Sequence, residues 1–317
     1  MLEIDFNTKK SIREAFGKKL AEIGGKNPNI VVLDSDLSCS TQTKFFAKEF
    51  PERFFNCGIA EQNMITTAAG LALEGKIPFA ATFAVFATGR TYDQIRASVA
   101  YQKTNVKIIG THGGITVGED GATHQALEDI SLMRGMPNMT VIVPADCNEC
   151  EQAIEFASKH VGPVYIRVSR NNLPDVYPTD YKFNPLKANI IKEGKDITLI
   201  SNGDELAEVI KAAGILKQQN IDAEVISMPV IKPFDAQTII DSARKTGFVV
   251  TVENHSIIGG LGSAVAEVLS ENLPTRVLRI GMKDCFGQSG TPAELLKHYE
   301  LDAESIAKRV IEAKWYN

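Results

Sequence analysis

Cysteine, tryptophan and long apolar runs are all scarce in this chain. Its 317 residues include one tryptophan and five cysteines, at positions Cys39, Cys57, Cys147, Cys150 and Cys285. These are too few and too scattered for a disulfide framework, and an odd number leaves one thiol over in any full pairing. A reducing, cytoplasmic setting is the expectation. The longest charge-free apolar stretches, 64–73 and 77–89, are separated by Glu74 and Lys76. Each falls short of the roughly 20 residues of a bilayer span, so no membrane partner is expected. Positive charge is not in excess either: 34 basic against 39 acidic residues give a net charge of −5. With no dense basic cluster, a nucleic-acid partner is not expected. The start, Met1-Leu2-Glu3-Ile4-Asp5, carries acids where a secretory signal carries lysine or arginine, so export is not expected.

What is present is a chain that is 44% hydrophobic and 23% charged, enough for a substantial core and long enough for two domains. Short β-branched runs alternate with helical patterns, the signature of an α/β fold with mostly parallel sheets. Ile12, Phe16, Leu20 and Ile23 recur at helical spacing, Ser11 and Glu14 make a capping box, and Gly24-Gly25 marks a stop. Strands are expected at 29–33, 53–57, 78–83, 106–111, 140–143 and 164–168, with helices at 60–73, 92–101, 125–134 and 147–160. From about 171 to 195 the pattern breaks into Asn and Pro pairs, which reads as a connecting segment. A second domain over 196–317 follows, with strands at 197–201, 223–227, 248–252 and 276–280 and helices that include 205–218 and 264–269.

In α/β sheets ligands sit beyond the carboxyl ends of the strands, so polar residues just after a strand deserve inspection. Glu61 lies where the segment 57–63 turns from strand to helix. A first-turn glutamate also complements the helix dipole, so the position alone leaves a structural role open. After the strand 106–111 come His112-Gly113-Gly114 and then 118–125, placing His112, Glu119, Asp120 and His124 in a glycine-rich loop. Catalytic or substrate-binding histidines suit it better than zinc, whose usual ligand spacings are not found here. Arg170 ends a strand, where its fork suits phosphate or carboxylate. Cys147-Asn148-Glu149-Cys150 is a lone CxxC; Asp146 and Glu149 form a capping pair that would put both thiols in a first helical turn, where their pKa could drop. Gly259-Gly260-Leu261-Gly262 resembles a phosphate loop without matching either standard pattern, and close helix packing is the simpler use. His160, His255 and His298 belong to no motif.

Together these segments resemble the second half of the transketolase family, its pyrimidine-binding domain followed by its C-terminal domain, over nearly the whole chain. Phe55-Asn56-Cys57-Gly58-Ile59-Ala60-Glu61-Gln62-Asn63-Met64 is similar to the segment carrying that family's glutamate. Gly118-Glu119-Asp120-Gly121-Ala122-Thr123-His124-Gln125 is similar to its GEDGPTHQP loop, with Ala122 and Ala126 standing where the family has proline. Ser35-Asp36-Leu37 and Ser169-Arg170-Asn171-Asn172-Leu173-Pro174 match two further landmarks. On this resemblance residues 1–170 form the pyrimidine-binding domain, 171–195 a linker and 196–317 the C-terminal domain.

The resemblance implies thiamine diphosphate as cofactor. Glu61 then hydrogen-bonds the pyrimidine nitrogen opposite the 4′-amino group and is catalytic, while Phe83 and Phe86 pack on the ring. A third family aromatic falls near Gly89, with Tyr92 close by. Asp36 matches a residue near the thiazolium and the subunit interface. His112 and His124 are the further catalytic residues, placed with Asp120 around the sugar hydroxyls. Arg13, Ser40 and Arg170 match phosphate-binding positions. Arg13 also opposes the dipole of the helix it begins, which points to another reason for its presence. His112 sets the chain apart from deoxyxylulose-phosphate synthases, which resemble it elsewhere. The family's metal and diphosphate motif, GDG, does not occur: Gly203-Asp204 is followed by Glu205. The expectation is therefore a split transketolase, with no metal ligand in this chain. An N-terminal subunit would supply the Mg²⁺ or similar divalent metal in an α2β2 heterotetramer acting on phosphorylated sugars. The alternatives are a split transketolase for a modified sugar and another split thiamine enzyme, such as a deoxyxylulose-phosphate synthase or a 2-oxoacid dehydrogenase β subunit. A non-catalytic scaffold derived from the fold is a third.

Overall fold

A computed structural model describes residues 4–315; Met1, Leu2 and Glu3, read above for a secretory signal, lie outside them. The strands in chain order are β1 (Lys9–Ser11), β2 (Ile30–Asp34), β3 (Phe54–Asn56), β4 (Ile77–Phe83), β5 (Lys107–Thr111), β6 (Thr140–Ile142) and β7 (Val164–Val168), then β8 (Asn172–Pro174), β9 (Asn189–Lys192), β10 (Ile197–Ser201), β11 (Ala223–Ser227), β12 (Val230–Lys232), β13 (Phe248–Ser256) and β14 (Arg276–Met282). Seven of them form one sheet in the order β12-β6-β7-β5-β4-β2-β3, parallel except for β12. Five form a second, β14-β13-β10-β11-β9, parallel except for β9. The two-domain α/β expectation holds. Strands such as β2, β5 and β10 are buried along their whole length, as parallel strands covered by helices on both faces must be.

Four local expectations fail for physical reasons. Gly24-Gly25 does not stop the first helix, which runs from Ile12 to Lys26. Gly24 is there for packing, since a Cβ would lie 2.4 Å from the Phe46 ring. The capping box is half formed: Ser11 Oγ accepts from the Glu14 N–H at 3.3 Å, but the Glu14 carboxylate pairs with Lys18 at 2.6 Å. The helix expected at 125–134 begins only at Asp129, because Ala126 pairs with Gly113 in an isolated bridge and its carbonyl accepts from the Gly114 N–H. Nor is 171–195 a plain connection. Within it β8 pairs antiparallel with β1, and β9 forms the edge of the second sheet. The domains also interlock in the other direction, since β12, from the second half of the chain, pairs with β6.

Candidate active site

Because β2 to β5 and β7 run parallel, their carboxyl ends share one edge, and the loops leaving that edge carry the polar residues of interest. Glu61 follows β3 as the first residue of the helix Glu61–Leu73 and is buried. Both its carboxylate oxygens accept from Arg90 at 2.9 Å. The same guanidinium lies 4.3 Å from the Phe86 ring centroid, a cation–π distance. Phe83 ends β4 and stacks on Phe86, with centroids 5.9 Å apart and planes 10° from parallel. Arg90 and Phe86 fall in a π-helical turn, Phe86–Arg90, where the Thr88 and Thr91 hydroxyls donate back to the Ala84 and Ala87 carbonyls. Such turns interrupt the regular ladder and reorient side chains. The regular helix expected at 92–101 is likewise interrupted, with three α-helical residues followed by a second π-helical stretch.

His112 follows β5 with φ of +60°, a left-handed conformation that a non-glycine residue adopts only when its surroundings hold it there. Its ring stacks on Phe83 at 3.8 Å, and the His124 ring meets Phe83 and Phe86 edge-on at 6.1 and 5.4 Å. The tautomer follows from the partners. The Thr111 hydroxyl donates to the Thr82 carbonyl, so its oxygen accepts from His112 Nδ1 at 2.8 Å. His112 Nε2 is left as an acceptor, with Arg13 Nη1 at 3.4 Å. Burial, then the charges of Arg13 and Arg170, pull the imidazole down to about 3, so it is neutral at pH 7. The unfolded imidazole protonates near its ordinary 6.5 while the folded one resists to about 3. The unfolded state therefore binds more protons in that window, and this group's share of stability is lost as pH falls through it. His112→Asn should narrow the difference between urea midpoints at pH near 4.5 and near 7; an unchanged difference would count against this assignment.

Arg13 Nη1 also donates to the Ser40 carbonyl at 2.7 Å, bringing Ser40 to the same side. Arg170 donates from Nη1 to the Val117 carbonyl and to Glu119, the latter at 2.8 Å. Asp120 is exposed at the end of the turn Ile115–Asp120. Asp36 stands apart, exposed beyond β2, with φ of +62° and a reciprocal pair of hydrogen bonds to Asn56 at 3.1 and 3.2 Å. The site thus combines a buried carboxylate, two stacked rings, two imidazoles and three arginines on one sheet edge. Such a set can grip a flat heteroaromatic ring and a phosphorylated, hydroxylated substrate.

The family described as "Transketolase, pyrimidine binding domain" matches residues 8–176, and "Transketolase, C-terminal domain" matches 186–306. A chain of Methanocaldococcus jannaschii provisionally named a transketolase C-terminal section is 53% identical over 306 residues, 96% of each chain. This chain belongs to the transketolase family. A 6-deoxy-6-sulfo-D-fructose transketolase subunit of Clostridium sp. strain MSTE9 is 42% identical over 95% of this chain and 94% of its own length. Among solved structures, one described as a split gene transketolase, inactive beta4 tetramer, superposes with a TM-score of 0.90 at 52% identity, covering 96% of this chain and 98% of that one. The transketolase family depends on thiamine diphosphate.

Against that family background, several residues around the site escaped sequence reasoning. Arg90, which holds Glu61, has no periodic signal. Asp34 ends β2, one residue beyond the strand expected at 29–33, and belongs to no motif. Its buried carboxylate accepts from the Leu37 N–H and the Thr41 and Thr43 hydroxyls at 2.6 to 2.9 Å, which shapes the loop carrying Asp36 and Ser40. The tempting motifs resolve as structure. Burial pushes the Cys147 thiol up to about 12 and Cys150 well above its ordinary value, so their place in a first helical turn activates neither. At 259–262 the helix N-terminus is filled by the chain's own Glu253, which accepts from the Leu261 and Gly262 N–H groups at 2.7 and 2.8 Å. His255 is a satisfied core residue: Nδ1 donates to the Ser256 carbonyl at 2.6 Å and Nε2 accepts from the Ser131 N–H at 3.4 Å.

Proposed function

We propose that this chain is the C-terminal subunit of a two-subunit, thiamine diphosphate-dependent transketolase that moves a two-carbon ketol unit from a phosphorylated ketose to an aldose. The observation that carries the reading is the buried Glu61 carboxylate, joined through Arg90 to the Phe83–Phe86 stack, with His112 packed face-on and His124 edge-on against those rings. These residues fit an aminopyrimidine: an acidic group for a ring nitrogen and aromatic faces for the ring. Bound there, thiamine diphosphate supplies a carbon nucleophile for a ketose carbonyl. Glu61 must then exchange its Arg90 partner for the pyrimidine nitrogen, and the Arg90 side chain, 42% exposed, has room to turn outward.

The neutral imidazole of His112 offers Nε2 as a proton acceptor toward a sugar hydroxyl, and His124 faces it across the rings. Asp120 reads a hydroxyl, Arg13 and Arg170 take the phosphate with Ser40, and Asp36 lies toward the thiazolium side and the subunit interface. The metal and diphosphate are assigned to a separate N-terminal subunit, and α2β2 is the assembly such a division favours. The solved relative named as an inactive β4 tetramer supports the same division of labour.

Ketol transfer from xylulose 5-phosphate to ribose 5-phosphate, with thiamine diphosphate and Mg²⁺, tests this. Activity is expected from the mixture of this chain with its N-terminal subunit and not from this chain alone. Full activity of the lone chain, or failure of the two chains to co-elute, would overturn the split reading. The Clostridium relative's name favours a second possibility, a modified-sugar donor. Turnover of 6-deoxy-6-sulfofructose in place of xylulose 5-phosphate would select it.

A further inference from the structure

We infer that Asp204, from the C-terminal domain, is a positioning residue for Arg170, and that substrate-phosphate recognition in the first domain is set by this contact across the domain boundary. The inference rests on the reading of Arg170 as a phosphate-binding residue. Arg170 has three attachments to the protein: its own backbone, leaving β7 through Ser169, its Nη1 bond to the Val117 carbonyl, and the Nη1 bond to the exposed Glu119 carboxylate. A single oxygen, Asp204 Oδ2, holds the neighbour of each of the first two. It accepts from the Ser169 hydroxyl at 3.0 Å and from the Thr116 hydroxyl at 2.6 Å.

Asn254, at the carboxyl end of β13, braces the same point. Its Nδ2 donates to Asp204 Oδ2 at 3.1 Å and to Thr116 Oγ1 at 2.9 Å, while its Oδ1 accepts from the Ile115 N–H at 2.8 Å. Thr116, Ser169 and Asn254 are all buried. Gly114 makes the approach possible: with φ of +79°, it would place a Cβ 2.3 Å from the Asn254 side chain. A charged acceptor shared by three donors in a low-dielectric interface is a strong and directional tie. Cutting it loosens both of the supports that Asp204 holds and leaves the guanidinium only the exposed Glu119 carboxylate.

The test uses the full chain assembled with its N-terminal subunit. Asp204→Ala is expected to raise KM for a phosphorylated ketose by about 10-fold with kcat nearly kept, and to leave KM for the unphosphorylated ketose unchanged. Asp204→Asn, which keeps an acceptor in place, should restore most of the affinity, and Ser169→Ala should give a smaller change of the same kind. Combining Asp204→Ala with Arg170→Ala should add little to Arg170→Ala alone, because the two act on one interaction. An equal rise in KM for both ketoses, or full additivity, would overturn the proposal. Hydrogen exchange supplies a readout independent of turnover. The amides of 115–120 should exchange at least about 10-fold faster in Asp204→Ala while those of β10 and β11 stay as they were. Unchanged exchange at 115–120 would sink the positioning role. An unaltered assembly that turns over no ketose, with the exchange difference intact, would instead overturn the functional reading and leave the clamp standing.

Discussion

Glu61→Ala is expected to lower kcat of the assembled enzyme by about 10²- to 10⁴-fold at saturating cofactor, the range that a positioned proton-transfer group contributes. The carboxylate is buried and its position is set twice, by the start of the helix Glu61–Leu73 and by two hydrogen bonds from Arg90. Removing it leaves Arg90 free to swing outward and takes from the site the buried carboxylate that Arg90 ties to the stacked rings. Association should survive, because the apolar face of the helix, Met64, Ile65, Ala68 and Ala69, packs into the core and is untouched. Steady-state kinetics give the first quantity and light scattering on the mixed subunits gives the second. Unimpaired turnover with normal assembly would remove Glu61 from the mechanism. Loss of assembly together with turnover would assign it a structural role instead.

Whether a residue was legible in the sequence depended on the distance over which its signal acts. Glu61, His112 and Arg170 could be found because each sits just beyond the end of a strand, and short strands are legible from local sequence, whereas Phe83 and Phe86 were marked only by the resemblance to the transketolase family. The β-strands at 164–168, 197–201 and 223–227 match their expected bounds, since each is a short run rich in Val and Ile between turn or helical segments. Asp204 and Asn254 were not found, because their partners lie in the other domain, 35 to 139 residues away in the chain. The short strand β12 was missed for the same reason: Val230–Lys232 becomes a strand only because β6 is beside it. Ala126 has helical surroundings in sequence but is claimed by Gly113. Local propensity lost there to a contact between the loop and the strand end.

Asp129→Ala should cost about 3–5 kcal/mol of stability, the usual penalty for stripping one partner from a buried ion pair. Asp129 and Arg167 are both buried, with Arg167 Nε 3.3 Å from Asp129 Oδ2, and the same oxygen accepts from the Tyr165 hydroxyl at 2.6 Å. Without the carboxylate, a guanidinium and a phenol in the core lose their direct acidic partner, and Asp204 and Glu253 act on Arg167 only through their charge. Arg167 cannot simply be made apolar in compensation, because its Nη2 donates to the Ala126 carbonyl at 3.2 Å and to the Asn254 carbonyl at 2.9 Å. Asp129→Ala with Arg167→Met removes the unpaired charge but strands those two carbonyls, so it should recover only part of the loss. The penalty is large against a total of about 5–15 kcal/mol for a protein of ordinary stability. It falls on the arginine that joins the loop before Asp129 to the end of β13. Urea unfolding should show a lower midpoint for Asp129→Ala with little change in slope. A loss below about 1 kcal/mol, the level of an ordinary surface change, would mean that water or a shifted side chain satisfies Arg167.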